Sequence, residues 1–137
     1  MIDAQAVMLA FLEAQSSITT LTGTRIYAGR SEPPEGYTPA DGAAVVFKRR
    51  QDRPIGESGM ALSSSFAFRF YGTGGNYNAQ LLSAEALYRA VYEATNFGTN
   101  YGVLGAQIES GPEPLTEPDT GWPVVVAFFR AQLRKTG

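Results

Sequence analysis

Gly56-Glu57-Ser58-Gly59-Met60 resembles a nucleophile elbow, the strand-to-helix turn that exposes a catalytic serine, but its final glycine is missing. A serine there needs a base to take its proton, and the 137 residues include no histidine. The commonest general base and metal ligand is therefore absent. No cysteine is present either, which removes disulfides and thiol chemistry. The plainer reading of this segment is the tip of a hairpin. Gly72-Thr73-Gly74-Gly75 precedes a helical segment, as phosphate loops do, yet no Gly-Lys-Ser/Thr follows, so it reads as a strand-to-helix loop. Glu109, Glu113, Glu117 and Asp119 could surround a cation, but their spacing fits no calcium loop and a solvated acidic loop accounts for them. No catalytic residue, metal site or cofactor is expected, and the chain reads as something other than an enzyme.

Lys48-Arg49-Arg50 with Arg53 is the one basic cluster. Phosphate binding is one reading. Charge that keeps a hairpin end from pairing with the wrong strand is a second, and a patch that docks on an acidic partner is a third. No stacking aromatics are interleaved with it, and the net charge of −2 gives no bulk attraction to nucleic acid. The longest apolar run, Pro123 to Phe129, falls far short of the ~18 residues that span a bilayer. The N-terminal residues lack a basic region ahead of their apolar ones, so no signal peptide and no membrane partner are expected.

The elements that would position these residues follow from periodicity. The strongest lies at the end of the chain. From Trp122 the even positions read Trp, Val, Val, Phe and then Arg130, Gln132, Arg134, while the odd positions from Val125 read Val, Ala, Phe, Ala, Leu. Alternate side chains of a strand face opposite sides, so its first half is apolar on both faces and its second half on one. The first half belongs at the centre of a sheet, whereas the second half is expected to run out to an edge or a partner. Pro123 fits only at the start, and Trp122 is expected to be a largely buried anchor for the loop before it.

Asp3 can cap a helix to about Gln15, with Val7, Ala10, Phe11 and Ala14 on its apolar stripe, and Ser16 and Ser17 ending it. Residues 21–24 read as a turn, 25–28 as a short strand and 29–42 as a long loop rich in proline and glycine. Residues 43–50 and 62–71 form a hairpin with apolar faces Ala43, Val45, Phe47 and Leu62, Phe66, Phe68, Phe70. Its polar, glycine-bearing tip, residues 51–60, should be mobile. Asn76 or Asn78 caps a helix to about Thr95 with Leu81, Ala84, Leu87, Tyr88 and Val91 on one stripe. Leu104, Ala106 and Ile108 mark a strand, and residues 111–120 an acidic, Pro-rich loop. The expected fold is α+β: a mostly antiparallel sheet of four to five strands with two helices on one face, in the order α-β-β-β-α-β-β. One domain covers 1–137.

This layout resembles the tail terminator, or tail completion, proteins of long-tailed bacteriophages. The matching words are Leu21-Thr22-Gly23-Thr24-Arg25-Ile26-Tyr27 after an N-terminal helix, and Ala44-Val45-Val46-Phe47 after a Pro-rich loop. Ala86-Leu87-Tyr88-Arg89-Ala90-Val91 in a helix, and Glu117-Pro118-Asp119-Thr120-Gly121-Trp122 before the last strand, complete them. The resemblance covers nearly the whole chain, through order of elements more than invariant residues. It implies a ring, usually of six subunits, in the tail–neck region of a virion assembled in the bacterial cytoplasm. Such a ring caps the tail tube, ends its growth and offers a surface to the head–tail connector or stopper. Its partners are copies of itself, the tail tube protein and that connector, with genome DNA only as passing cargo through the lumen.

Two sets of residues are assigned to these contacts. Arg130, Gln132 and Arg134, on the half-covered end of the last strand, are expected at a head-to-tail subunit interface. Arg49, Arg50 and Arg53 supply charge at the base of the hairpin tip, and Ile55 and Met60 apolar anchors, for docking on a partner. The alternatives are another neck or head–tail joining protein of similar fold, or a ligand-binding module of α+β type with a pocket under the 29–42 loop.

Overall fold

The computed structural model describes residues 3–55, 61–97 and 102–134. Alternation of apolar side chains draws five strands into one sheet: β1 (Ile26–Ala28), β2 (Ala44–Ile55), β3 (Ala61–Tyr71), β4 (Val103–Thr116) and β5 (Pro123–Arg134), in the spatial order β1-β2-β3-β5-β4. The β1–β2 pairing is parallel and the other three pairings are antiparallel. The fold is α+β, as the pattern of the sequence indicated.

The position of the last strand differs from expectation. β5 is interior along its whole length, with Arg134 opposite Ala61 on β3 and Leu133 opposite Val103 on β4. The reason is β4, which runs 14 residues and takes in Gly111–Thr116, a stretch expected to be loop. Its register shifts three times, between Val103 and Gly105, between Ile108 and Ser110, and between Ser110 and Glu113. An edge strand tolerates bulges and prolines because one side of its backbone needs no partner. The segment expected to be a mobile tip also differs: Gln51 to Ile55 pair with Ser65 to Ala61 as part of β2. Ser58 and Met60 lie outside the described residues.

Three helices cover one face, where two were expected. Asp3 caps α1 (Ala4–Glu13), its Oδ1 accepting from Ala6 N at 3.1 Å. The buried stripe is Ala4, Met8, Phe11 and Leu12. It is rotated from the expected one because Met8 and Leu12 bury more apolar surface than Ala10 and Ala14, which stay exposed. α2 (Ser16–Thr22) was expected to be a helix end and a turn. Its Ser- and Thr-rich sequence has poor helix propensity, but Ile18 is wholly buried in the core. Thr20 and Thr22 return their hydroxyls to the carbonyls of Ser16 and Ile18 at 2.6 and 3.2 Å. Gly23, at φ 58°, stops it.

Asn76 caps α3 (Tyr77–Phe97), its Oδ1 accepting from Ala79 N at 2.9 Å. Ala84, Leu87, Tyr88 and Val91 are buried, as their spacing predicts. Beneath the helices lies an aromatic ladder across the sheet. Phe68 has its ring centroid 5.3 Å from Phe47, 5.6 Å from Phe70 and 4.9 Å from Phe129.

Candidate functional site

The face of the sheet away from the helices divides into two ends. At the apolar end Tyr37, Ala44, Val46, Tyr71 and Val124 are buried, with Tyr27, Trp122 and Val126 packed against them. The 29–42 loop lies over this end. Tyr37 meets Tyr71 edge-on at 6.1 Å and Trp122 at 5.9 Å. Its hydroxyl donates to the Gly42 carbonyl at 2.6 Å. The loop holds its shape through a one-turn helix, Pro39–Asp41, where Asp41 accepts from Thr38 N at 2.9 Å. The sheet surface beneath the loop is thus occupied by the loop's own Tyr37, where the ligand-binding alternative placed a pocket. Burial pushes the Tyr37 phenol well above its ordinary range, and burial together with the Glu117 carboxylate does the same to Tyr71.

The polar end is built by a β-bulge. Arg49 is opposite Phe66 and Gln51 is opposite Ser65, so Arg50 is the extra residue. The bulge carries its guanidinium over the Phe128 ring, 4.4 Å from the centroid. Beside it Arg130 bridges two strands, with Nε 3.1 Å from Glu109 Oε2 and a terminal nitrogen 3.1 Å from Ser63 Oγ. Ser65 donates its hydroxyl to the other Glu109 oxygen. The Ser65 hydroxyl and the Arg130 guanidinium hold the Glu109 carboxyl below its ordinary pKa, against a smaller opposing effect of burial. These residues line an open cavity of about 310 Å³ with Arg50 and Gln51.

The residues singled out in the sequence are distributed unevenly over this surface. Arg50 and Arg53 are exposed on β2, Arg53 opposite Ser63. Arg49 pairs instead with Asp52 at 3.2 Å, and Asp52 accepts from Ser64 Oγ at 2.5 Å. Ile55 ends the described part of β2, and its side chain, like all of Met60, lies outside the described residues. Arg130, Gln132 and Arg134 share the helix-free face but sit on an interior strand, so the unpaired edge expected there does not exist. Trp122 is half-buried, packed against the apolar cluster with its ring edge-on to Tyr37 of the loop.

The acidic residues separate likewise. Glu109 belongs to the polar network, Glu113 is exposed on β4, and Glu117 is partly buried beside Tyr71. Among the described residues no three acidic groups come together in a way that could hold a metal. Gly72 and Gly74 serve packing against α3: a Cβ on Gly72 would lie 1.9 Å from the Gln80 carbonyl oxygen and one on Gly74 2.6 Å from the Ala79 Cβ, whereas one on Gly75 would meet nothing. Ser63 and Ser65 were not singled out from sequence, although they alternate with the Phe stripe on the strand that carries it. The signal was the serine run in Leu62-Ser63-Ser64-Ser65, polar on a strand flanked on both sides.

No helix among the described residues is long and apolar enough to cross a membrane. No protein-family model and no curated protein matches the sequence. Among solved structures, a chain of the virion of a native gene transfer agent (GTA) particle is similar, with a TM-score of 0.65 and 16% sequence identity over 96% of this chain and 94% of that chain. At that identity the likeness is one of fold.

Proposed function

We propose that this protein is a structural component of a phage-like virion and, within it, a tail terminator. On this reading copies of the chain form a ring that caps the tail tube, ends tail growth and joins the tail to the head connector or stopper. Genome DNA passes through the lumen without being read. The work is mechanical, so the chain is not an enzyme and needs no cofactor. The observation that carries the reading is the likeness of fold to a virion chain across nearly the full length of both. The sequence words quoted above narrow it from virion component to terminator. The exposed Arg50 and Arg53 of β2 belong to the part assigned to docking on a partner, the last tube ring or the adjacent subunit.

The test is to label the protein in intact particles for electron microscopy and to delete its gene. The label is expected at the junction of tail and head, and deletion is expected to yield tails of uncontrolled length without heads. Label on the capsid shell or the distal tail tip would overturn the assignment. Label at the neck with tails of normal length would reassign the protein to another head–tail joining role.

A further inference from the structure

The two long edges of the sheet carry opposite charge. β1 covers β2 only at Val45, Val46 and Phe47, so from Lys48 onward β2 is an edge, and β4 is the edge on the other side. β2 carries Lys48, Arg49, Arg50 and Arg53 against Asp52, which is 4 − 1 = +3. β4 carries Glu109 and Glu113 and no basic residue, which is −2. The pairing register puts all of these charges but Arg49 and Asp52, which are opposite Phe66 and Ser64, on one face. Lys48 is opposite Ala67 and Arg53 opposite Ser63, both on the helix-free side, and the bulge adds Arg50. Glu113 is opposite Val126 on the same side, and Glu109 bonds to Arg130 there. Lys48, Arg50, Arg53 and Glu113 are all exposed. The one acid of the β2 edge is taken up by Arg49.

We propose that the acidic β4 edge of one copy docks against the basic β2 edge of the next, with Glu113, level with Val46 through the register of the sheet, reaching the neighbour's Lys48, the first β2 residue that β1 leaves uncovered. Three observations fit a second copy as the occupant. The charges are complementary between the edges and repulsive within each, so β2 on β2 and β4 on β4 are both disfavoured. The contact is therefore head-to-tail, the kind that generates rings or filaments. β4 runs antiparallel to β5, β5 to β3 and β3 to β2, so β4 runs opposite to β2. A rotation about an axis along the strands brings the two edges together antiparallel, the commoner pairing. Pro112 and Pro114 offer no N–H, so a continuous main-chain ladder cannot form beside Glu113, and side-chain charge is left to fix the contact. Closure into a ring rests on the tail-terminator reading; the edge contact does not.

The experiment exploits the absence of cysteine. Gln51→Cys on the β2 edge and Ser110→Cys on the β4 edge leave every charge in place, and both positions are exposed. The full-length double variant, treated with a short bismaleimide at low salt, is expected to give a ladder extending beyond dimer. The ladder should fade toward roughly 0.5 M salt as screening shortens the reach of the charges. Each single variant should stay monomeric. Adding Glu113→Lys should cut the ladder at least about tenfold, and adding Lys48→Glu with it should restore part of the loss. Dimers from either single variant, or no ladder from the double variant, would overturn the proposal. A ladder whose products are open chains in electron micrographs keeps the edge contact and removes the ring. Closed rings of the unaltered protein, without a ladder from the double variant, remove the edge contact and keep the ring.

Discussion

β3 shows both faces of the sheet in one strand. Phe66, Phe68 and Phe70 point under the helices, while Ser63 and Ser65 point the other way, and all five are buried. Their burial is similar in extent and opposite in chemistry. The phenylalanines lose only apolar surface to their neighbours, which is favourable at about 25 cal/mol per Å². The serines are covered by Arg130 and Glu109, and each hydroxyl meets a charged partner there. Burying such groups is tolerable only because they are paired. The helix-covered face therefore supplies stability, and the polar end of the helix-free face supplies a fixed arrangement of charge. A surface that meets partners can be altered without unfolding the chain only where the second kind of burial prevails.

That contrast is broken most directly at its apolar extreme. Phe68→Ala should cost about 3–5 kcal/mol, because the side chain is wholly buried among Phe47, Phe70 and Phe129 and the cavity cannot collapse. Denaturant unfolding measures this, and a loss under about 1 kcal/mol would mean that the ladder is not the source of stability. Trp122→Ala sharpens the comparison within the helix-free face. Half-buried against Tyr37, it should cost about 1–2 kcal/mol. A value near that of Phe68 would mean that the apolar end behaves as a second core.

The parts of the fold legible in sequence are those where one physical signal acts alone. β5, the Phe stripe of β3 and the 3.6-residue period of α3 were each set by hydrophobic alternation, and the structure keeps them. α2 was not legible, because Ser16, Ser17, Thr19, Thr20 and Thr22 argue against a helix and one buried apolar side chain, Ile18, outweighs them. Residues 111–116 were not legible as strand, because glycine and proline signal a loop and only the sheet topology shows that this strand is an edge. The interior place of β5 follows from the same fact and could not be read before it. The candidate surface was half legible. The basic cluster was visible as composition, but its separation into Arg49, paired with Asp52, and Arg50, stacked on Phe128, depends on a bulge that no sequence spacing marks.

A smaller effect is expected at Arg50. Arg50→Ala removes a guanidinium stacked on Phe128 at a largely exposed site and should cost about 0.5–1 kcal/mol. Thermal unfolding checks it, and a fall of 2 kcal/mol or more would show that the bulge, rather than the stacking, had been lost.

The smallest effect concerns Glu109, and acid separates it from the apolar contributions. Its carboxyl is held below its ordinary pKa by the Ser65 hydroxyl and by Arg130, so the folded state binds its proton less readily than the unfolded chain does. For a group whose folded pKa is depressed, the stabilisation is complete above the unfolded value of about 4.3 and is lost as pH falls through the folded one. Glu109→Gln keeps the shape and removes the charge. It should lower stability at pH 7 by up to about 1 kcal/mol, the range of partly exposed ion pairs. The difference from the unaltered protein should then shrink below about pH 4, where the native carboxyl also takes up its proton. The difference isolates Glu109, and the phenylalanine ladder does not titrate at all. Unfolding free energies of the two proteins measured from pH 7 down to pH 2.5 give the result. Curves that coincide throughout would mean that Arg130 and Ser65 hold Glu109 without stabilising the fold, and that the polar end contributes recognition alone.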